Sequence, residues 1–260
     1  MGKIFLSLVS RLLVSLFFAL SACQKKSTTE QNASSKQISR SALTQAIAEQ
    51  LQPATVSHED GSFASYIHFP KDPAATKMES VVQFYCDISD IGRVESTYAI
   101  IGTQDAFKAA VQSALDWGRF EPARAGEKPV PVYLGGTVLF LHQNGQPVIV
   151  ISLATAERER IAKFANYIQP QLIGGLRRCL EDAETHASIN LPNQGASEVL
   201  VKVGDRGEIT SSSIVSENPK DIGLGEFLAG AIKSAQFTPA YSDGKQTAGA
   251  INVIANFGEF

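Results

Sequence analysis

A strongly basic stretch is missing from this chain of 260 residues, which carries 23 lysine and arginine against 26 aspartate and glutamate residues. Nucleic-acid-binding proteins concentrate positive charge on one surface, where it neutralises phosphates. The formal net charge of −3 provides no such field. We therefore expect no nucleic-acid partner.

Patterns typical of catalytic and metal-binding sites are missing as well. The four histidines are scattered, and none pairs with cysteine or glutamate at the spacing of metal ligands: His58, His68, His142 and His186. The Gly-x-Ser-x-Gly motif of nucleophilic serine enzymes does not occur. We predict that the protein is not an enzyme and has no catalytic residues, metal site or cofactor.

The first 23 residues have the features of a targeting segment. Lys3 and Arg11 supply positive charge, and the apolar run Leu12–Leu20 is too short for a comfortable membrane span. The following Leu20-Ser21-Ala22-Cys23 resembles the bacterial lipobox, in which the cysteine is lipidated and becomes the new N-terminus. An uncleaved signal anchor over Ile4–Ala22 is the alternative, but it places Arg11 inside the membrane at a high energetic cost.

Gln24–Arg40 is a polar segment without aromatic residues, which cannot bury enough apolar surface to fold. We interpret it as a flexible tether that spans about 20–25 Å as a coil. Among bacterial lipoproteins, a residue other than aspartate after the cysteine implies the outer membrane, and here that residue is Gln24. The sequence thus predicts a protein lipid-anchored through Cys23 in the envelope of a Gram-negative bacterium, in the outer membrane and facing the periplasm.

Two copies of one pattern occupy most of the remaining chain. Leu115–Leu141 contains the end of a helix, the stop Phe120-Glu121-Pro122, a polar turn and an apolar strand. Ala231–Phe257 repeats this order around Phe237-Thr238-Pro239. A strand-turn-strand pattern precedes each copy, at residues 81–94 and 198–209. We infer two diverged repeats of one unit.

Each repeat is expected to contain two helices that pack on one face of its strands. In the first repeat these are Ser41–Gln52 and a helix capped by Thr103. In the second they are Leu172–Ala183 and a helix capped by Asn218, with Pro219 in its first turn. The predicted fold class is therefore α+β. The predicted ranges are 41–154 for the first repeat, 155–169 for a linker helix and 170–260 for the second repeat.

The first copy resembles the C-terminal domain of TonB, the periplasmic energy transducer of Gram-negative bacteria. The matching residues are Gly92, Trp117, Arg119, Phe120, Glu121, Pro122, Leu139 and Phe140. Gly118 interrupts the family's Trp-Arg-Tyr-Glu-Pro-like motif, and the second copy keeps only Phe237 and Pro239 of it. The segment from Pro170 to Leu176 is similar to the proline-glycine-glycine segment before the first helix of many such domains. The resemblance covers most of the chain after about Ile67.

The resemblance implies two tandem TonB C-terminal-like units in a non-catalytic lipoprotein that binds protein segments by strand addition. TonB-like domains accept an extended peptide from an outer-membrane receptor beside their last strand. The implied process is transport across the outer membrane, with a TonB-dependent receptor or another envelope protein as the partner. A structural or assembly role, including a homodimer, and a true energy transducer with an N-terminal membrane anchor are the alternatives.

The two repeats differ at the edge where TonB-like domains take their peptide. In the first, the Asn144-Gly145 turn and the strand Val148–Leu153 are expected to cover the last strand. In the second no further strand signal follows, so we predict that Ala248–Phe257 presents the partner-binding edge. Its outward residues are Ala250, Asn252, Ile254 and Asn256. Ser211–Ser213, by contrast, is interpreted as a polar strand face.

Cys86 and Cys179 remain after Cys23 is assigned to the lipid. They lie on core-facing stripes of different repeats, whereas a disulfide needs Cα atoms roughly 6 Å apart. Since the periplasm permits disulfides, both states stay open, with buried free thiols favoured.

The lipid anchor can be tested by labelling cells with a fatty-acid analogue. Wild-type protein should incorporate the label, and Cys23→Ser should abolish it and leave uncleaved or released protein, because only the cysteine thiol accepts the lipid. Equal labelling of the two proteins would mean that the anchor lies elsewhere.

Overall fold

The computed structural model describes residues 51–71, 77–155, 166–186 and 194–257. The predicted signal peptide with Cys23, the tether, nearly all of the predicted helix 41–52 and the linker helix lie outside these residues. Ala48–Phe260 forms one compact unit, which includes the described residues of both predicted repeats. The boundary between the two repeats stays a prediction.

The described residues form fourteen strands and four helices. The first repeat contains β1 Leu51–Gln52, α1 Phe63–Tyr66, β2 Ser80–Ile88, β3 Val94–Ile101, α2 Asp105–Trp117, β4 Ala123–Ala125, β5 Lys128–Val130, β6 Val132–Gln143 and β7 Gln146–Ser152. The second contains β8 Tyr167–Ile168, β9 Leu172–Ile173, α3 Leu176–His186, β10 Gly195–Val203, β11 Ile209–Asn218, α4 Leu224–Ile232, β12 Ala240–Ser242, β13 Lys245–Thr247 and β14 Gly249–Phe257.

The α+β fold class with two helices per unit is wrong. Strands account for 48% and helices for 20% of the structure, and four antiparallel sheets make the described part mostly β. Leu51–Gln52 and Leu172–Ile173 are strands where the apolar spacing predicts helix. Gly174 and Gly175 follow with φ of 92° and 81°. This left-handed backbone excludes a helix, so α3 begins only at Leu176.

The two larger sheets are built from the predicted hairpins. β2 and β3 pair antiparallel, as do β10 and β11, which confirms both hairpin predictions. Asn144 and Gly145 have φ of 53° and 76°, the values of a tight hairpin turn, and β7 pairs along β6 as predicted. The strand orders are β3-β2-β6-β7, with β9 also beside β6, and β11-β10-β14. Two small sheets, β1-β4-β5 and β8-β12-β13, complete the described part.

The same order of elements in both halves supports an internal repeat. The buried positions of α2 recur in α4 at the same spacing: Phe107, Val111, Ala114 and Leu115 correspond to Leu224, Leu228, Ala231 and Ile232. In both halves a pair of short strands follows the helix, and a long strand then pairs with the centre of the larger sheet.

The Phe-x-Pro stops pack over the glycine turns of the hairpins. Gly92 and Gly207 have φ of 77° and 85°, and a Cβ atom at either position would collide with the carbonyl oxygen of Phe120 or Phe237, respectively. Gly118, which interrupts the TonB-like motif, similarly lies against the main chain of Phe63. Steric contact therefore explains the glycine at this position, because a side chain would prevent the segment around Phe63 from approaching the end of α2.

The two halves share core residues. The core of the first repeat lies between α2 and one face of its sheet, where Phe84 and Phe107 are fully buried. On the opposite face, Tyr85, Tyr98 and Tyr133 pack into the hydrophobic core of the second repeat. The first sheet is thus covered on one face by its own helix and on the other by the second repeat.

A buried carboxylate joins the two halves. Asp87, on β2, is 4% exposed. Its oxygens accept hydrogen bonds from the main-chain N–H groups of Leu176 at 2.8 Å and Arg177 at 2.9 Å, and from the hydroxyl of Tyr98 at 2.7 Å. The first turn of α3 is therefore held by an acceptor from the other repeat. Burial raises the pKa of Asp87 above its ordinary value, although the three hydrogen bonds oppose this rise.

Removal of either aromatic stop should destabilise the whole compact unit. Phe120 stacks on Phe63 with ring centroids 4.9 Å apart, and Phe237 is fully buried. We expect Phe120→Ala and Phe237→Ala each to lower the unfolding free energy by about 3–5 kcal/mol. Because the halves share core residues, urea unfolding followed by circular dichroism should stay a single transition. Two separate transitions would contradict this coupling.

The raised pKa of Asp87 predicts the direction in which the unfolding free energy changes with pH. Between the ordinary value of about 3.9 and the raised value, the folded state binds more protons than the unfolded state. The wild-type unfolding free energy therefore falls as pH rises through this window. Asp87→Asn should cost about 1–3 kcal/mol, because the carboxamide has one acceptor oxygen for three donors. This deficit should be largest at and below about pH 4 and shrink as pH rises through the raised pKa of Asp87.

Urea unfolding of both proteins across this pH range measures the difference. Asp90→Asn, in the exposed turn after β2, is the matched control and should show no such trend. A deficit of Asp87→Asn that grows with pH would mean that the pKa of Asp87 is lowered in the folded state.

Candidate functional site

The predicted partner-binding edge on β14 lies against the first repeat. The hydroxyl of Tyr133 donates to the carbonyl oxygen of Asn252 at 3.3 Å and accepts from the main-chain N–H of Ile254 at 2.8 Å. The side-chain amide of Asn256 donates to the carbonyl oxygen of Tyr98. Ile254 is only 9% exposed. The edge of Ala250, Asn252, Ile254 and Asn256 is therefore covered, and we place the candidate site elsewhere.

The corresponding edge in the first repeat is covered as well. β7 pairs with β6 from Thr137 to Gln143, and β9 pairs with Val132 and Tyr133 on the same strand. The last strands of both repeats thus have neighbours on both sides. Open edges are therefore to be found on the outer strands of the sheets, such as the outer strand of the second hairpin.

β11 is the open edge of the second sheet. Within the described residues it pairs only with β10, and eight of its ten residues are exposed. The bond from Ile254 to Tyr133 shows that the main-chain groups of Ile254 face away from β10. By the alternation of an antiparallel ladder, Ser211 and Ser213 then bond to β10, whereas the main-chain groups of Ser212 face outward.

The side chains of β11 leave its edge accessible. Ser211, Ser212 and Ser213 are small, and Ile214 and Val215 are 43% and 52% exposed. The strand has no charged residue before Glu217. Natural sheets commonly protect such an edge with lysine, proline or a covering loop. The uncharged, exposed edge of β11 therefore meets the steric and electrostatic requirements for adding another strand.

Glu217 fixes the loop at the far end of β11. Its carboxylate accepts from the main-chain N–H groups of Gly225 at 2.7 Å and Ile222 at 2.9 Å. These hydrogen bonds, the one from Gly225 above all, lower the pKa of Glu217. α4 consequently begins at Leu224 after Gly223, which has a left-handed φ of 86°, and not at the predicted cap Asn218.

Two cavities adjoin this end of the edge. The smaller, of about 710 Å³, is lined by the exposed side of Ile214 and Val215 and by charged side chains: Glu217, Lys220, Asp221 and Glu226. The larger, of about 1190 Å³, is a groove between α3 and α4. Gly223 and Glu226 line both cavities. They therefore form one concave surface that continues from the edge of β11.

The groove between α3 and α4 has an apolar floor and a charged rim. Cys179, Phe227 and Ala231 are among its floor residues. Arg178 and Asp182 lie on the rim as an ion pair with Nε and Oδ2 4.0 Å apart, and both side chains are 75% exposed. Such an exposed pair contributes little to stability. The groove thus has the apolar character of a site for aliphatic side chains.

Two cysteine thiols are the remaining candidate groups. Cys86 and Cys179 are both free, as favoured from the sequence, but only Cys86 is fully buried. Burial raises the pKa of Cys179 to about 11. The thiol of Cys179 donates to the carbonyl oxygen of Ala231 at 3.2 Å. Within the described residues, no group of three His, Cys, Asp or Glu side chains could hold a metal ion. No helix of the described part is long and apolar enough to cross a membrane.

No family model matches the chain, and neither does any curated protein or solved structure. The resemblance to TonB C-terminal domains therefore stays an expectation from the sequence.

The sequence pattern does not predict that the edge of β11 is open, since Ser211–Ser213 is interpreted as a polar strand face. The signal that could have indicated an open edge is the uncharged stretch from Ile209 to Ser216. The covering of β14 had no such signal, because it depends on a tyrosine more than a hundred residues away.

Proposed function

We propose that the protein is a non-catalytic lipoprotein of the cell envelope that binds an extended segment of another protein as a fourth strand beside β11. The observation that carries this proposal is the uncharged edge of β11, which has no neighbouring strand beyond β10 within the described residues and lies next to a concave surface. The predicted lipid on Cys23 and the predicted tether support a position at the outer membrane, facing the periplasm. The TonB-like sequence features support a role in transport across that membrane, with a TonB-dependent receptor as the partner.

Strand addition suits this edge for two physical reasons. Main-chain N–H and C=O groups that face outward can bond to any extended segment, which provides affinity independent of its sequence. The serine side chains are small enough for a new strand to approach to about 4.8 Å. The edge differs from the one expected by resemblance, because the last strand is already covered and the hairpin strand is open.

Proline substitutions can separate binding from folding. Ser212→Pro removes an outward N–H group, and proline is tolerated on an edge strand in that orientation. It should weaken binding about tenfold or more while circular dichroism and unfolding stay near wild type. Ser213→Pro removes a bond to β10 and should instead destabilise the fold by roughly 1–3 kcal/mol.

The measurement is isothermal titration calorimetry of the full-length protein in detergent with synthetic periplasm-facing N-terminal segments of TonB-dependent receptors. Ser212→Thr is the matched control, because it changes the side chain but keeps the N–H group. Wild-type affinity in a folded Ser212→Pro variant would exclude β11 as the binding edge. Absence of binding to all segments would remove support for the receptor as partner.

An assembly role is the second candidate, and the same edge favours it. Two copies of β11 can pair antiparallel about a two-fold axis, which would join their three-stranded sheets into one. Light scattering would then show a dimer in the wild type and a monomer in Ser212→Pro. A monomeric wild type at high concentration would exclude this candidate.

A further inference from the structure

We infer that the segment added to β11 carries an aliphatic residue followed by a basic residue at its N-terminal end, where the first enters the groove between α3 and α4 and the second meets Glu226. This inference rests on the proposed strand addition. It names the chemistry of the partner, which the edge of β11 by itself does not determine.

The concave surface places both residues at one end of the edge. The smaller cavity begins at Ile214 and Val215, at the α4 end of β11. Glu226 and Gly223 line this cavity and also the groove beyond it. A chain that runs along β11 and continues past its end therefore passes Glu226 before it reaches the groove.

The charges of this surface favour a cation. Three carboxylates line the smaller cavity, from Glu217, Asp221 and Glu226, against the single ammonium group of Lys220. Glu217 is committed to the main chain before α4. In the groove, Arg178 is paired with Asp182. Glu226 is left between the two cavities as an exposed carboxylate, well placed for the basic side chain of a partner.

The groove has room for an aliphatic side chain next to Glu226. Gly223 and Gly230 line it, and a Cβ atom at either position would have no other atom within 4 Å. Phe227 and Ala231 form an apolar floor. An aliphatic side chain placed here loses its contact with water, which stabilises the complex.

The orientation follows from the sheet. Both existing strand pairs of β11-β10-β14 are antiparallel. A fourth antiparallel strand runs opposite to β11, so its N-terminal end lies beside Asn218 and its C-terminal end beside Ile209. The basic and aliphatic residues therefore precede the extended stretch in the partner.

The test uses three fluorescein-labelled peptides that share an alternating Thr-Val stretch and differ only in the two leading residues. The leaders are Leu-Lys, Leu-Glu and Ser-Lys, and binding to the full-length protein in detergent is followed by fluorescence anisotropy. Leu-Lys should bind about fivefold more tightly than Leu-Glu and about five- to tenfold more tightly than Ser-Lys. Added salt should reduce only the first difference.

Protein variants assign each preference to its residue. Glu226→Gln should abolish the preference for Leu-Lys over Leu-Glu, and Glu226→Lys should reverse it. Asp205→Lys, in the turn at the opposite end of β11, is the control with the same charge change as Glu226→Lys and should keep the preference. Gly230→Leu fills the groove and should remove the preference for Leu-Lys over Ser-Lys while leaving the fold intact.

Equal affinity of all three peptides for the wild type, with binding still weakened by Ser212→Pro, would overturn this inference and leave the proposed edge in place. A leader preference that persists in Glu226→Lys or Gly230→Leu would also overturn it. Failure of every peptide to bind would contradict strand addition itself.

Discussion

The arrangement of the two repeats depends on the buried carboxylate of Asp87. It is an acceptor in the first sheet for the first N–H groups of α3, which belong to the second repeat. A buried carboxyl group is stabilised where donors surround it, and the start of α3 supplies two of the three donors to Asp87. This position of α3 brings Leu176 and Leu180 into the same core as Tyr98 and Tyr133. The contact between the carboxyl group and the start of the helix thus joins the two repeats at the faces that they share.

The duplication has produced two halves with different edges. In the first half, β7 and β9 cover the last strand. In the second half the hydroxyl of Tyr133, from the first repeat, bonds to the main chain of the last strand. The hairpin strand β11 is left without such a neighbour in the described residues. Within the described residues, the open edge of the second sheet thus lies on its hairpin strand and not on its last strand.

Local sequence signals predicted the local structure well. Alternating apolar residues identified the β2-β3 and β10-β11 hairpins, and the Asn144-Gly145 turn predicted the pairing of β6 with β7. The second predicted helix of the first repeat is α2, which begins at Asp105, two residues after the predicted cap Thr103. These features depend on side chains a few residues apart, so they can be predicted from the pattern of a single sequence.

Tertiary contacts explain the failures. Leu172–Ile173 has helical spacing, but it pairs with β6 because Gly174 and Gly175 have left-handed backbones that end any continuation. The start of α4 moved from Asn218 to Leu224 because Glu217 bonds to the loop between them. The covered edge of β14 depends on Tyr133, which no pattern around residue 252 reveals. The predictions of the fold class and of the site therefore failed because both depend on contacts between residues that are far apart in the sequence.

The Tyr133 contact also determines how far an added strand would lie from the first repeat. Because β14 faces the first repeat and β11 lies at the other side of the sheet, a strand added beside β11 would lie about three strand spacings, roughly 14 Å, beyond β14. The width of the second sheet would therefore separate a partner strand from the first repeat.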